Sequence, residues 1–88
     1  MPWGDESLYR ASRAVSRNII VSGRRTSMRL DTSLWVALEE IARREGCTVQ
    51  DLCTQADQRR GEMSLTAAVR AALVDYLWSA LRAEEGEK

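Results

Sequence analysis

The chain has 88 residues, 44% of them hydrophobic, and a formal net charge of +0. That length supports one small domain with a limited core of its own, and the neutral balance argues against a strongly basic, non-specific polyanion binder. Two cysteines and no histidine make neither a disulfide framework nor a four-ligand zinc site.

Charge is nevertheless segregated along the chain. From Ser7 to Leu30 there are six arginines and no acid, whereas Asp31 onward carries eleven acids against seven bases. Residues 1–17 are polar, lack a sustained period and are expected to form a flexible basic arm that includes Arg13 and Arg17. The apolar triplet Ile19-Ile20-Val21 either extends the strand that follows or lies against the body of the protein, with Gly23 marking a bend or bulge. Arg25 to Asp31 alternates with period two, placing Thr26, Met28 and Leu30 on one face and Arg25, Ser27 and Arg29 on the other. A lone strand needs a partner for its backbone, and the same strand of a second copy, antiparallel about a two-fold axis, supplies one.

Side-chain oxygens of Asp31, Thr32 and Ser33 stand where a helix N-terminus needs capping. Leu34, Trp35, Leu38, Ile41 and Ala42 then recur at helical spacing, and the spacing predicts a helix over 32–45 that stops at Gly46. Trp35 falls one position off the main stripe, at the edge of the ribbon or against a later helix. Thr48-Val49-Gln50-Asp51 has the form of a capping box and opens a second helix over 48–60, with Cys53 on its apolar face as a small core residue. A third helix over 64–82 is apolar around much of its circumference, with Val74 and Trp78 outside the main stripe, so it closes the core within one protomer or spans two. The tail 84–88 is expected to be disordered. No apolar run approaches the ~20 residues of a membrane span, and nothing reads as a secretion signal, so the expectation is a cytoplasmic protein without membrane contact.

Strand, helix, glycine turn and capped second helix, in that order, resemble the ribbon-helix-helix repressors of the Arc, MetJ and CopG group from about Arg25 to Arg60. The run Gly23-Arg24-Arg25-Thr26-Ser27 with a third helix downstream is similar to a bacterial subgroup that carries an additional C-terminal helix. The resemblance implies a mainly α fold with one short N-terminal strand: an intertwined homodimer with an intermolecular antiparallel two-stranded ribbon, plus the third helix. The domain would run from residue 18 to 83. A second register, taking Ser64 to Leu77 as the family's second helix, would require residues 48–60 to be an insertion; the gap-free register is preferred.

By position, the resemblance gives Arg25, Ser27 and Arg29 the role of base contacts in a DNA major groove. An arginine there can donate twice to guanine O6 and N7. It also implies phosphate contacts from Thr48, Val49 and Gln50 at the start of the second helix, with Arg24 beside the ribbon. Met28, Leu30, Leu34, Leu38, Ile41 and Leu52 are the expected dimer core. The implied function is a sequence-specific transcriptional regulator, a repressor, on a palindromic or tandem operator in double-stranded DNA, as a homodimer or a higher oligomer on DNA. The alternative is a dimeric protein-interaction module, or an antitoxin, whose C-terminal helix binds a partner protein. No catalytic constellation, cofactor or metal is expected.

Overall fold

The computed structural model describes Gly4 and residues 10–86. Two strands, β1 (Ala14–Val21) and β2 (Arg24–Asp31), are followed by three helices, α1 (Thr32–Glu45), α2 (Val49–Arg59) and α3 (Leu65–Gly86). The strands form an antiparallel hairpin in which Val15 faces Leu30, Arg17 faces Met28 and Asn18 faces Ser27. Ser22 and Gly23 connect them at φ 51° and 78°. Positive φ at both central residues is the geometry whose twist matches that of the flanking strands.

The ribbon is therefore built within one chain. The strand expected over 25–31 is present, but its partner is β1 rather than the same strand of a second copy, and a single N-terminal strand becomes two. Residues 14–17, expected to belong to a flexible arm, are the first half of β1, while residues 1–3 and 5–9 of that arm lie outside the described residues. Arg17 obscured the period-two pattern. It stands among Val15, Ile19 and Val21 on the inner face, where its guanidinium lies 4.7 Å over the Trp35 ring and 3.6 Å from the Glu39 carboxylate. A charged head on an apolar stem can cover a core in this way.

Trp35 is likewise more central than its helical spacing suggests, at 1% exposure. Its indole Nε1–H donates to the Val15 carbonyl at 3.0 Å, so β1 gives the buried ring the hydrogen-bond partner it requires. The start of α1 is also tied to the region before β1: the Thr32 amide and hydroxyl both donate to the Arg13 carbonyl, at 2.8 and 3.0 Å. The expected side-chain cap from Asp31 is not made. At the other end Gly46 adopts φ 67°, its amide donates to the Arg43 carbonyl and the Cys47 amide to that of Ala42. This paired closure satisfies the last free carbonyls and depends on a left-handed residue at Gly46.

The core lies between the inner face of the hairpin and the three helices. Met28, Leu30, Leu38 and Ile41 are buried in it, and Leu34 and Leu52 pack against it partly exposed, all within one chain. Cys53 is fully buried, and desolvation pushes its thiol up to about 11. From α3 come Ala68, Val69 and Leu73, with Leu65 and Tyr76 at the margin. The third helix continues through Glu84 and Glu85 to Gly86, so the acidic segment expected to be disordered from residue 84 is helical up to that glycine. Alanine and glutamate are good helix formers, and no stop signal precedes Gly86.

Candidate nucleic-acid interface

The hairpin's alternation sets eight side chains on the face turned away from the core: Ala14, Ser16, Asn18 and Ile20 from β1, and Arg25, Ser27, Arg29 and Asp31 from β2. All eight are exposed. Cross-strand pairing joins them into four rungs, Ala14 with Asp31, Ser16 with Arg29, Asn18 with Ser27 and Ile20 with Arg25. The three rungs nearer the turn form a twisted two-stranded surface with an arginine at each end and small hydrogen-bonding groups between them, and the Asp31 carboxylate stands on the rung beyond Arg29, at the open end of the hairpin. A two-stranded ribbon is one of the elements a major groove admits.

The other arginines of the cationic segment are placed differently. Arg24 pairs with Val21 and stands on the opposite alternation from Arg25, near enough to Asp57 to help hold that carboxyl below its usual range. Arg17 is on the inner face over Trp35, so it is not part of a mobile arm. Arg13 is exposed just before β1.

Helix α2 holds β1 from the side. Gln50, Thr54 and Asp57, at helical spacing i, i+4 and i+7, line one flank of it. Gln50 Oε1 accepts from the Ile20 amide at 2.7 Å, Thr54 Oγ1 from the Ser22 amide at 3.0 Å, and the Ser22 hydroxyl donates to Asp57 at 2.7 Å. Arg60 closes the row by donating to Asp57 at 2.7 Å. Hydrogen bonds from Ser22 and Arg60 lower the Asp57 pKa. These contacts satisfy the edge of β1 and fix the hairpin's position against the helices.

The start of α2 thus lies beside the ribbon. Thr48 forms the expected capping box: its hydroxyl accepts from the Asp51 amide at 3.1 Å, and its own amide donates to the Asp51 carboxylate at 3.0 Å. The amides of Val49 and Gln50, in the first turn, make none of these bonds.

The sequence model of the ribbon-helix-helix domain matches residues 14–77. The chain belongs to the ribbon-helix-helix family. Searches of curated proteins and of solved structures return no match. The ribbon-helix-helix match begins at the first residue of β1 and reaches well into α3, so the in-chain hairpin and much of the third helix lie within the domain. Members of this family are DNA-binding regulators that generally act as dimers.

For this ribbon-helix-helix chain, the structure brings Arg25, Ser27 and Arg29 together on one face, puts Gln50 at the edge of the same ribbon and sets Arg24 on the other alternation. The sequence reading missed the contribution of β1. Asn18 and Ser16 share the outer face with the arginines, and an asparagine amide can pair twice with adenine N6 and N7. The signal that would have found them is the dipeptide Ser22-Gly23 between two runs of β-forming residues, a two-residue hairpin loop.

Proposed function

We propose that this protein is a sequence-specific transcriptional regulator, a repressor in the bacterial cytoplasm, that lays the outer face of its hairpin in the major groove of double-stranded DNA. The observation that carries the reading is the three exposed rungs of the outer face nearest the turn, with arginines at their ends and Asn18 and Ser27 facing each other at the centre. Arg25 and Arg29 read guanine, Asn18 reads adenine, and Ser16 and Ser27 adjust to the bases between. Val49 and Gln50 direct backbone amides at a flanking phosphate, with Thr48 holding the helix end in place, and Arg24 adds positive charge at the turn. Two copies acting together read a palindromic or tandem operator.

Mobility-shift assays on fragments around the protein's own gene, at two salt concentrations and with excess competitor DNA, test this. A competitor-resistant shift is expected, weakened by Arg29→Ala and Asn18→Ala together with a change in base preference. A folded protein that gives no specific shift, or one indifferent to both substitutions, removes the hairpin as the reading surface. A second reading, an interaction module that docks a different protein, draws on one observation: the solvent face of α3 exposes Val74, Leu77, Trp78 and Leu81.

A further inference from the structure

Helix α3 has two apolar faces. Leu65, Ala68, Val69, Leu73 and Tyr76 turn toward the core. Val74, Leu77, Trp78 and Leu81 form a second stripe that is 67%, 54%, 57% and 58% exposed. At 3.6 residues per turn this stripe and the core-facing residues occupy nearly opposite sides of the cylinder. Among the described residues the four side chains of the outer stripe stay exposed and add nothing to the core. Four large apolar side chains aligned on one helix form a contiguous patch of the kind that marks an interaction site.

The order of residues along the stripe indicates what covers it. Arg70, Val74, Leu77, Trp78, Leu81 and Glu85 all fall within an arc of roughly 100°. Their spacing reads the same from either end: four, three, one, three and four residues apart. A second copy of the helix laid antiparallel, with the two-fold axis between Leu77 and Trp78, sets Leu77 against the other copy's Trp78 and Val74 against its Leu81. The same register brings Arg70 opposite the other copy's Glu85. A cation at one end and a carboxylate at the other thus close both ends of the apolar contact, which is the self-complementarity an isologous two-fold interface demands. A parallel pairing would set Arg70 against Arg70 and Glu85 against Glu85.

We propose that α3 is the self-association surface of this protein, a second copy covering the stripe in antiparallel register. The contact between Arg70 and Glu85 spans about 22 Å of helix axis. Arg82, 5.9 Å from the centre of the Trp78 ring, flanks the contact. The inference deepens the DNA-binding reading by giving two copies their joint. It leaves the hairpin's outer face free in each, because that face and the stripe belong to different elements.

Sedimentation of the full chain without DNA tests it. The expected result is a concentration-dependent dimer that Leu77→Asp weakens by about tenfold or more, with the helical circular dichroism of the monomer unchanged. Arg70→Glu and Glu85→Arg should each weaken the dimer about two- to fivefold, and the double variant should recover most of the loss, since the pair is then reversed rather than broken. A chain that stays monomeric, or a dimer indifferent to Leu77→Asp and to the charge reversals, overturns the proposal; such a dimer would have to use another surface, such as the edge of β2. The outcome is separate from the DNA reading, because a Leu77→Asp monomer still carries its hairpin, and its binding to a half-site is lost only through substitutions such as Arg29→Ala.

Discussion

The outer face of the hairpin and the outer stripe of α3 are both exposed, yet one is mostly arginine, serine and asparagine, with Ile20 among them, and the other is valine, leucine and tryptophan. Both belong to elements whose opposite faces build the same core. In β2 the inward residues Met28 and Leu30 are almost fully buried, and in α3 so are Val69 and Leu73. The difference between the outward faces is therefore not required by folding. Polar groups with free hydrogen-bonding capacity suit a ligand that offers donors and acceptors, such as the edges of bases, whereas aliphatic and indole surface gains by leaving water. One small core presents two surfaces that call for chemically different partners.

Both surfaces depend most on the core they share. Trp35 links β1, through its bond to Val15 and its cover by Arg17, to the helix that follows β2. Trp35→Ala should cost about 3–5 kcal/mol, a large share of the stability of so small a domain, and both surfaces should fail together. Chemical denaturation monitored by circular dichroism measures it; a loss below about 1 kcal/mol would mean the hairpin is held by something other than this ring. Next in size come the substitutions that separate the faces. Arg29→Ala should cost about 1–3 kcal/mol in binding to a single half-site and leave self-association alone, whereas Leu77→Asp should weaken self-association and leave half-site binding alone. Observing both losses from either single variant would show that the surfaces are not independent. Smaller again is Thr48→Ala, expected to lower stability by about 0.5–2 kcal/mol through the lost cap. Its added effect on DNA affinity, compared with that of a substitution elsewhere on α2 of equal stability cost, measures how far the helix end contributes to phosphate contact.

How much of this could be read from the sequence differs between the two regions for a physical reason. The helices announce themselves by period and by their ends: α1 stops at Gly46 and α2 opens with the Thr48–Asp51 box, both as expected. The alternation of Met28 and Leu30 with Arg25, Ser27 and Arg29 likewise settles which face of β2 is buried. β1 stayed hidden because its inner row contains Arg17, a charge where the pattern demands an apolar residue, and because Ile20, an apolar residue, points outward. Both exceptions follow from contacts that one strand's pattern does not contain: Arg17 covers a tryptophan from another element, and Ile20 faces Arg25 across the ribbon. With β1 out of sight, the lone strand had to be given a second copy as its partner. The outer stripe of α3 was visible as excess apolar surface, but its direction relative to the core needed the packed structure.

The finest distinction lies in how the two regions respond to acid. Asp57 is tied to the hairpin turn by Ser22 and to Arg60, and these hydrogen bonds hold its carboxyl below the usual aspartate range. Glu40 is held at about 2, but by Arg43 and Arg44 of its own helix. In both cases the folded-state value is depressed, so each contribution is present above the unfolded value and is lost as the pH falls through the folded one. The consequences diverge with the partners. Protonating Asp57 loosens the Ser22 anchor and with it the end of the ribbon, whereas protonating Glu40 affects only exposed pairs within α1, which contribute little. An acid titration followed by NMR should therefore show the Ser22 and Gly23 amide shifts moving with a midpoint below that of an ordinary aspartate. Asp57→Asn should remove the movement at Ser22 and leave that near Glu40 intact. A Ser22 amide that follows the Glu40 carboxyl instead would mean that the turn and the helices titrate as one body, and that the hairpin is less separately anchored than the three contacts from α2 imply.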